Sequence, residues 1–467
     1  MRCATETLLH SNAERFGVFP VEGKLRYASV VNYRVRGGKP LSGTIETNTS
    51  KNAAVALLAA SMLNKGTTTL TRMPHIEEVN RLIEVMRSIG IEVVWEGGTM
   101  RITPPEKLRM HEVDATAAGR TRSIALFAGA LAHREREFLI PVAGGCHLGN
   151  RSLTAHIDGL RTLGIDMEGT EEGWVVKNRD RQAGEVVMYE ASDTGVENIL
   201  LAAATIPGVT TIRFAPSNYM VQDLCVFLEG LGVAIEGIGT STLVVHGVAE
   251  IHKEAHGEPS EDPIESMFFF ALAATTKSQL TIKRCPIDFL ELELQHLKKM
   301  GLTIERGPVY VGNNGRVRLC DVTLFPSTLY AAPEKIAPLP YPGINIDNLP
   351  FFVPVATQAV GRTLVHDWVY ENRAIYYTEM NKLGADVVLA DPHRVFVNGP
   401  TKLHAAEVDA PPALRPATLL LIGMLAAEGE SLLKNVYPIN RGYENLHERL
   451  KTLGADVEAV ETKGEGV

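Results

Sequence analysis

The sequence is poor in cysteine, has no long apolar run and carries no excess of basic residues. Its five cysteines form no Cys-x-x-Cys pair, so we expect no metal site. No apolar run reaches the roughly 18 residues that a membrane span requires. The net charge of −9 argues against binding to nucleic acid, which needs a basic face. Because cysteines are sparse and the N-terminus lacks an apolar signal core, we expect a cytoplasmic protein.

A repeated pattern of helices and strands is the main organising feature of the 467 residues. An apolar helical segment, a short β-rich strand, an amphipathic helix and another strand follow one another six times. Each amphipathic helix ends in an apolar residue and a glycine, which tolerates the left-handed conformation at a helix end. These glycines are Gly90, Gly164, Gly232, Gly301, Gly384 and Gly454. A chain of this length exceeds one hydrophobic core, so we predict two α/β domains with three blocks each.

The polar segment 254–261 lies just before the fourth block and is the predicted domain boundary. We predict a first domain over residues 51–258 and a second over 259–467. The strand-like residues around 33–47 belong to no complete block, so residues 30–50 are assigned to the second domain. Residues 1–29 are predicted to be an N-terminal extension.

A thiol in a glycine-rich loop is the strongest chemical motif. Cys146 follows Gly144-Gly145, and Arg151 comes five residues later. A nearby cation lowers the pKa of a thiol and attracts anions. Four other segments supply residues that bind anions, namely Lys51 with Asn52, Arg122, Arg415 and Arg441. Together they predict a site for a small anion with several charges.

Three motifs resemble those of the enolpyruvyl transferases. They are Ser-Lys-Asn-Ala-Ala before the first helix, Gly-Gly-Cys-x-x-Gly-x-Arg in the second block and Asn-Arg-Gly-Tyr-Glu in the last. The resemblance runs from about Val35 to Ala459 and is strongest to the bacterial branch that acts on UDP-N-acetylglucosamine. It implies a two-domain inside-out α/β barrel with the active site in the cleft. It also implies transfer of the enolpyruvyl group of phosphoenolpyruvate to a hydroxyl, with release of phosphate and no cofactor.

The resemblance assigns roles to individual residues. Phosphoenolpyruvate carries a carboxylate and a phosphate, so it needs several cations of suitable geometry. Six residues match the anion-binding positions of the family: Lys51, Asn52, Arg122, Arg151, Arg415 and Arg441. Cys146 matches the reactive thiol, which delivers a proton during addition, and Lys51 counts as catalytic as well.

An aspartate matches the base that activates the acceptor hydroxyl. The family spacing, counted back from Arg373, leads to Asp347, although about three residues are inserted before it. A turn or helix-capping aspartate is the alternative interpretation. Arg373 matches an arginine used in cleft closure. Asp262 and Glu265 match acidic residues that contact the substrate or set the hinge.

Departures from the family pattern cluster on the acceptor side. Ser152 replaces a proline in the segment that holds uracil, and Ala191 stands near the position of a lysine that binds the diphosphate. A lost contact of this kind weakens affinity by about 1.5–3 kcal/mol, or tenfold or more. We therefore expect a nucleotide acceptor, the 3′-hydroxyl of UMP as in nikkomycin and polyoxin pathways, rather than UDP-N-acetylglucosamine of the cell wall.

Two other classes of protein remain open at this stage. RNA 3′-phosphate cyclases use related blocks, but the acidic charge opposes binding to RNA. A non-catalytic paralogue that binds anions is the second alternative, since the match at Asp347 includes an insertion. We expect no nucleic-acid partner and no membrane partner.

Overall fold

Six small sheets organise the chain, and one block of the repeat supplies most of each sheet. The computed structural model describes residues 18–21, 24–27, 30–142, 144 and 152–462. The sheets of the first half contain the strands Thr68–Leu70, Glu92–Glu96, Thr99–Thr103 and Ala255–Gly257; Glu137–Pro141, Ile165–Gly169 and Gly173–Asn178; and Glu185–Val187, Gly208–Arg213, Ala234–Glu236 and Thr242–Gly247. Those of the second half contain Ser42–Glu46, Gln279–Pro286, Thr303–Arg306, Tyr310–Val311 and Arg318–Phe325; Leu329–Tyr330, Ala359–His366, Asp386–Asp391 and Arg394–Gly399; and Val30–Gly37, Glu407–Asp409, Gly429–Lys434 and Asp456–Thr462. A hairpin of Val18–Val21 and Lys24–Tyr27 precedes them.

The apolar helix of each block is buried beneath its sheet. These helices are Lys51–Ser61, Phe127–Leu131, Asp193–Ala203, Pro263–Thr275, Phe352–Thr357 and Leu414–Ala426. Every residue of Pro263–Thr275 is buried, and this helix packs against Phe352–Thr357 and Leu414–Ala426. Its apolar side chains are therefore covered on all sides, as expected for a helix inside a domain. Helices lie inside and sheets outside, as the predicted fold class requires.

The amphipathic helices form the second helical set. They are Glu77–Ser88, Thr154–Thr162, Tyr219–Gly230, Glu291–Lys299 and Leu446–Thr452, with the 3₁₀ helix Ala374–Leu383 in the fifth block. Shorter helical turns occur at Met110–Glu112, Ala115–Ala118, Ser123–Leu126, Ile287–Phe289, Leu349–Phe351 and Tyr437–Asn440. Among the described residues, no helix is both long enough and apolar enough to cross a membrane.

The six glycines predicted to end the amphipathic helices all adopt the left-handed conformation. Their φ angles lie between 81° and 96°. A side chain at such a position would meet the following carbonyl oxygen, which is why glycine is favoured there. The prediction that these residues end the second helix of each block is confirmed.

The chain passes between the two halves twice, at residues 48–50 and 260–262, and the two passages lie side by side. Before the first passage, Val30–Gly37 pairs with the last strands of the chain, and Ser42–Glu46 runs parallel to Gln279–Pro286. The chain then enters the first half and returns next to its point of entry. There, Ser50 N–H donates to the Ser260 carbonyl (2.8 Å) and Asp262 N–H donates to the Asn48 carbonyl (2.8 Å). These paired crossings lie at the predicted domain limits, which remain our prediction.

Candidate active site

A cleft of about 540 Å³ lies between the two halves of the protein. It is lined by six of the residues selected from the sequence: Lys51, Asn52 and Arg122 from the first half, and Asp347, Arg373 and Arg415 from the second. Residues up to 364 positions apart in the sequence thus line one cleft. Cys146 and Arg151 lie outside the described residues, and their neighbour Ser152 lines the cleft.

Lys51 and Asn52 lie at the N-terminus of the first buried helix. Ser50 caps this helix, since its hydroxyl accepts from the N–H groups of Asn52 (3.1 Å) and Ala53 (3.3 Å). The Asn52 amide and the Ser50 hydroxyl each donate to the Tyr219 hydroxyl at 3.1 Å. Burial raises the pKa of Tyr219 well above its ordinary value, so the phenol stays protonated. The positive end of the helix dipole and the Lys51 ammonium together favour a bound anion.

Arg441 is held from the opposite half by Glu78, a residue that the sequence prediction missed. Its Nη2 lies 2.7 Å from Glu78 Oε2, while Glu78 Oε1 accepts from the hydroxyls of Thr121 (2.6 Å) and Ser123 (3.1 Å). Burial alone raises the pKa of Glu78, but the charges of Lys51 and Arg441 outweigh it and bring this pKa to about 2. Glu78 is therefore ionised at neutral pH and joins the two halves beside Lys51.

A helical repeat gives the signal that could have identified Glu78. This residue lies four positions before Leu82 and seven before Val85, on the buried face of Glu77–Ser88. A carboxylate on an apolar stripe requires a partner, because a buried charge is costly without one.

Asp347 lies between two buried arginines of the second half. Its Oδ1 is 3.8 Å from Arg373 Nη1, and its Oδ2 is 3.6 Å from Arg415 Nη2. Arg373 also binds Asp367 through Nε and Nη2 (2.5 and 2.9 Å) and donates to the Ile346 carbonyl (2.8 Å). Arg373 thus fixes the backbone next to Asp347 and leaves the carboxylate, which is about 27% exposed, facing the cleft.

The inserted residues before Asp347 form an ordered turn. The Asn345 side chain accepts from Asp347 N–H (2.8 Å), and the Asn345 N–H donates to the buried Glu293 carboxylate (3.0 Å). Asn348 donates to the same oxygen of Glu293 (2.9 Å). The insertion is therefore anchored on both sides of the aspartate, which keeps Asp347 in place.

Three further predicted site residues lie behind the cleft wall. Arg441 is held against Glu78, Asp262 caps Pro263–Thr275 by accepting from Ile264 N–H (2.8 Å), and Glu265 accepts from Asn48 N–H (2.6 Å) and pairs with Arg449. Burial raises the pKa of Asp262 to about 6, and the charge of Arg415 opposes this rise. Asp262 and Glu265 hold the crossing segment near Asn48. Neither is among the described residues that line the cleft.

The first-half wall opposite Asp347 surrounds Ala191, which the sequence analysis singled out, with polar residues to which it gave no role. Glu190, Ala191, Ser192, Asp193, Thr194 and Glu197 line it. Asp193 accepts from the Asn218 amide (3.0 Å), and burial, with a contribution from Asp347, raises its pKa to about 6. This wall carries no lysine or arginine between residues 190 and 197.

Sequence comparison places the chain in a family. Residues 35–450 match the EPSP synthase (3-phosphoshikimate 1-carboxyvinyltransferase) family. The UDP-N-acetylglucosamine 1-carboxyvinyltransferase of Bradyrhizobium diazoefficiens is 33% identical over 433 residues, which cover 92% of this chain and 98% of that protein. The protein of the same name from Treponema denticola is 32% identical over 432 residues, or 92% of this chain and 99% of that one. The chain belongs to the EPSP synthase family of enolpyruvyl transferases.

Solved structures show the same fold. The enolpyruvyl transferase NikO from Streptomyces tendae aligns with a TM-score of 0.80 at 24% identity, over 93% of this chain and 100% of that one. EPSP synthase from Acinetobacter baumannii aligns with a TM-score of 0.69 at 17% identity, over 93% and 100% of the two chains. The predicted two-domain inside-out α/β fold is confirmed. The protein is an enzyme that transfers an enolpyruvyl group from phosphoenolpyruvate to an acceptor.

Proposed function

We propose that the acceptor is a nucleoside monophosphate, with the 3′-hydroxyl of UMP as the reacting group. The observation that carries this proposal is the first-half wall of the cleft, where Ala191 lies beside Glu190 and Asp193. A diphosphate needs cationic partners in fixed positions, and this wall offers carboxylates instead. A nucleoside monophosphate presents fewer charges to be neutralised.

The arginines and Lys51 have the chemistry to hold phosphoenolpyruvate. Lys51 supplies an ammonium at a helix N-terminus, and Arg122 and Arg415 supply guanidinium groups from opposite halves of the cleft. Guanidinium groups bind carboxylates and phosphates through paired hydrogen bonds. Binding therefore favours closure of the cleft, which excludes water from the reacting atoms.

The reaction needs one base and one acid. In the proposed mechanism, Asp347 takes the proton of the acceptor hydroxyl while the hydroxyl oxygen of the acceptor bonds to C2 of phosphoenolpyruvate. Cys146, by resemblance to the family, gives a proton to C3, which forms a tetrahedral intermediate. The bond from C2 to the phosphate oxygen then breaks, and the thiolate left on Cys146 takes a proton back from C3, which restores the double bond. The products are the enolpyruvyl ether and inorganic phosphate.

UDP-N-acetylglucosamine is the second candidate acceptor. It is favoured by the 33% identity to the Bradyrhizobium diazoefficiens protein, whose name states that acceptor. The kept anion-binding residues fit either acceptor, because both reactions use the same donor. Only the first-half wall of the cleft, at residues 190–197, distinguishes the two candidate acceptors.

A panel of acceptors tests the proposal. With phosphoenolpyruvate present, we expect UMP to support phosphate release with kcat/KM about tenfold or more above that for UDP-N-acetylglucosamine, since residues 190–197 supply no cation for the second phosphate. Shikimate 3-phosphate serves as the control acceptor. A higher kcat/KM for UDP-N-acetylglucosamine would assign the enzyme to the cell wall. Phosphate release with none of the three would mean that the acceptor is another hydroxyl compound and that the proposal is wrong.

Alkylation tests the predicted thiol. We expect fosfomycin, an epoxide that mimics phosphoenolpyruvate, to inactivate the enzyme with time and to add once, at Cys146, because neighbouring cations favour the thiolate. Burial raises the pKa of Cys225, Cys285 and Cys320, so these thiols should not react. Intact mass and peptide mapping measure the adduct. Cys146→Ser should abolish it, whereas Cys320→Ser should retain it; unmodified Cys146 after long exposure with UMP contradicts the prediction.

A further inference from the structure

One oxygen of a buried glutamate in the cleft has no hydrogen-bond partner among the described residues. Glu197 lines the cleft with a relative exposure of 1%, and its Oε1 makes no hydrogen bond to any described residue. Nearly all buried polar atoms in proteins are hydrogen-bonded, so an exception in a binding cleft calls for an explanation. A ligand group that reaches this oxygen would supply the missing hydrogen bond.

Asp193 lies four residues before Glu197 on the same helix, so both carboxyl groups are on one face. One oxygen of Asp193 accepts from Asn218. Burial raises the pKa of Glu197 well above its ordinary value, and the charges of Asp193 and Asp223 add to this effect. A neutral Glu197 carboxyl group both donates and accepts, whereas an ionised Asp193 only accepts.

A buried network fixes the adjoining part of the wall. Asn198 accepts from Gly129 N–H (2.6 Å) and donates to His156 Nδ1 (3.1 Å). Burial lowers the pKa of His156 to about 4, so the ring is neutral and its proton resides on Nε2. That proton is directed to the Thr194 hydroxyl (3.2 Å), which keeps its own hydrogen for donation. The polar groups here are therefore held in place before a ligand binds.

We propose that Asp193 and Glu197 determine acceptor specificity by binding the sugar hydroxyl next to the reacting one and by disfavouring a phosphoryl group at this wall. A hydroxyl donates and accepts, which matches an ionised Asp193 beside a neutral Glu197, whereas a phosphate would be repelled by the Asp193 charge. This inference rests on the proposed function in one respect: the wall opposite Asp347 receives the acceptor.

The test uses Asp193→Asn, which keeps the side-chain shape but removes the charge, and Glu197→Leu, which removes both the donor and the acceptor of a neutral carboxyl group. In each variant we expect the KM for UMP to rise about tenfold or more, while the KM for phosphoenolpyruvate stays unchanged. The wild-type enzyme should prefer UMP to 2′-deoxy-UMP, and the variants should lose this preference. Glu185→Gln, which removes an exposed carboxylate paired with Arg213, is the matched control and should change neither KM.

The outcomes separate this proposal from the proposed function. If UMP is a substrate but both variants keep its KM and the preference for the 2′-hydroxyl, the specificity proposal is wrong. If the wild-type enzyme does not use UMP, the proposed function fails. In that case the KM of Asp193→Asn is measured with UDP-N-acetylglucosamine as acceptor, and it should fall below the wild-type value because a repelling charge is lost. An unchanged or higher KM overturns the specificity proposal. Thermal melting checks folding, and if Glu197→Leu does not fold, Asp193→Asn alone decides.

Discussion

Asp347→Asn is expected to lower kcat by about 10²–10⁴, because a positioned general base typically contributes that much. The amide keeps the size of the carboxyl group, but it cannot take the proton of the acceptor hydroxyl. Arg373 and Arg415 remain to shape the cleft around the substituted residue. The KM for the acceptor should therefore change little. Steady-state kinetics at saturating phosphoenolpyruvate measure both constants.

The control for this substitution is Asp391→Asn, which removes an exposed aspartate of the same half that is paired with Arg394. It should leave kcat unchanged. Full activity of Asp347→Asn would mean that the base has been misassigned across the inserted Gly343-Ile344-Asn345 stretch. Loss of acceptor binding with unchanged kcat would make Asp347 a binding residue instead.

Arg373→Met is expected to destabilise the second half by about 3–5 kcal/mol. Both partners of the Arg373–Asp367 pair are fully buried, and among the hydrogen bonds of the described residues the Tyr377 hydroxyl is the side-chain donor that remains to the Asp367 charge when the arginine is removed. An uncompensated buried charge costs far more than the lost attraction. Urea unfolding followed by tryptophan fluorescence and circular dichroism measures the change.

Arg394→Met is the matched control, since Arg394 forms an exposed pair with Asp391 in the same half. A surface pair of this kind is worth about 0–1 kcal/mol. The double substitution Arg373→Met with Asp367→Leu should recover part of the lost stability, because it removes both charges together. Equal destabilisation by Arg373→Met and Arg394→Met would show that burial of the pair does not matter.

The parts of the fold that follow local rules were predictable from the sequence. The six helix-ending glycines, such as Gly90 and Gly454, were predicted to adopt the left-handed conformation because glycine is favoured there. Their φ angles confirm this and with it the repeat. The burial of the helix Pro263–Thr275 likewise follows from its apolar composition alone. Local chemistry determines such features, so no knowledge of distant contacts is needed.

Contacts between remote segments could not be predicted in the same way. Nothing near Glu78 indicates that Arg441, 363 residues later, would bind it, or that Asp193 would lie across the cleft from Asp347. These pairings depend on how the two halves sit together. The family resemblance supplied the residues predicted to bind the donor, since these match its motifs, but not Asp193 and Glu197, which lie where the sequence departs from them.

The place of Val30–Gly37 in the last sheet has a consequence for folding during synthesis. Arg36 in this strand binds Glu430, which is 394 residues away in the chain. At about 5–20 residues per second, a ribosome needs roughly 20–80 s to make that stretch. During this time the strand lacks its partners, Gly429–Lys434 and Asp456–Thr462, while the first half between the two crossings is already complete. The middle of the nascent chain can therefore fold before its ends, and until translation finishes this strand keeps an unpaired edge that is open to pairing with other chains.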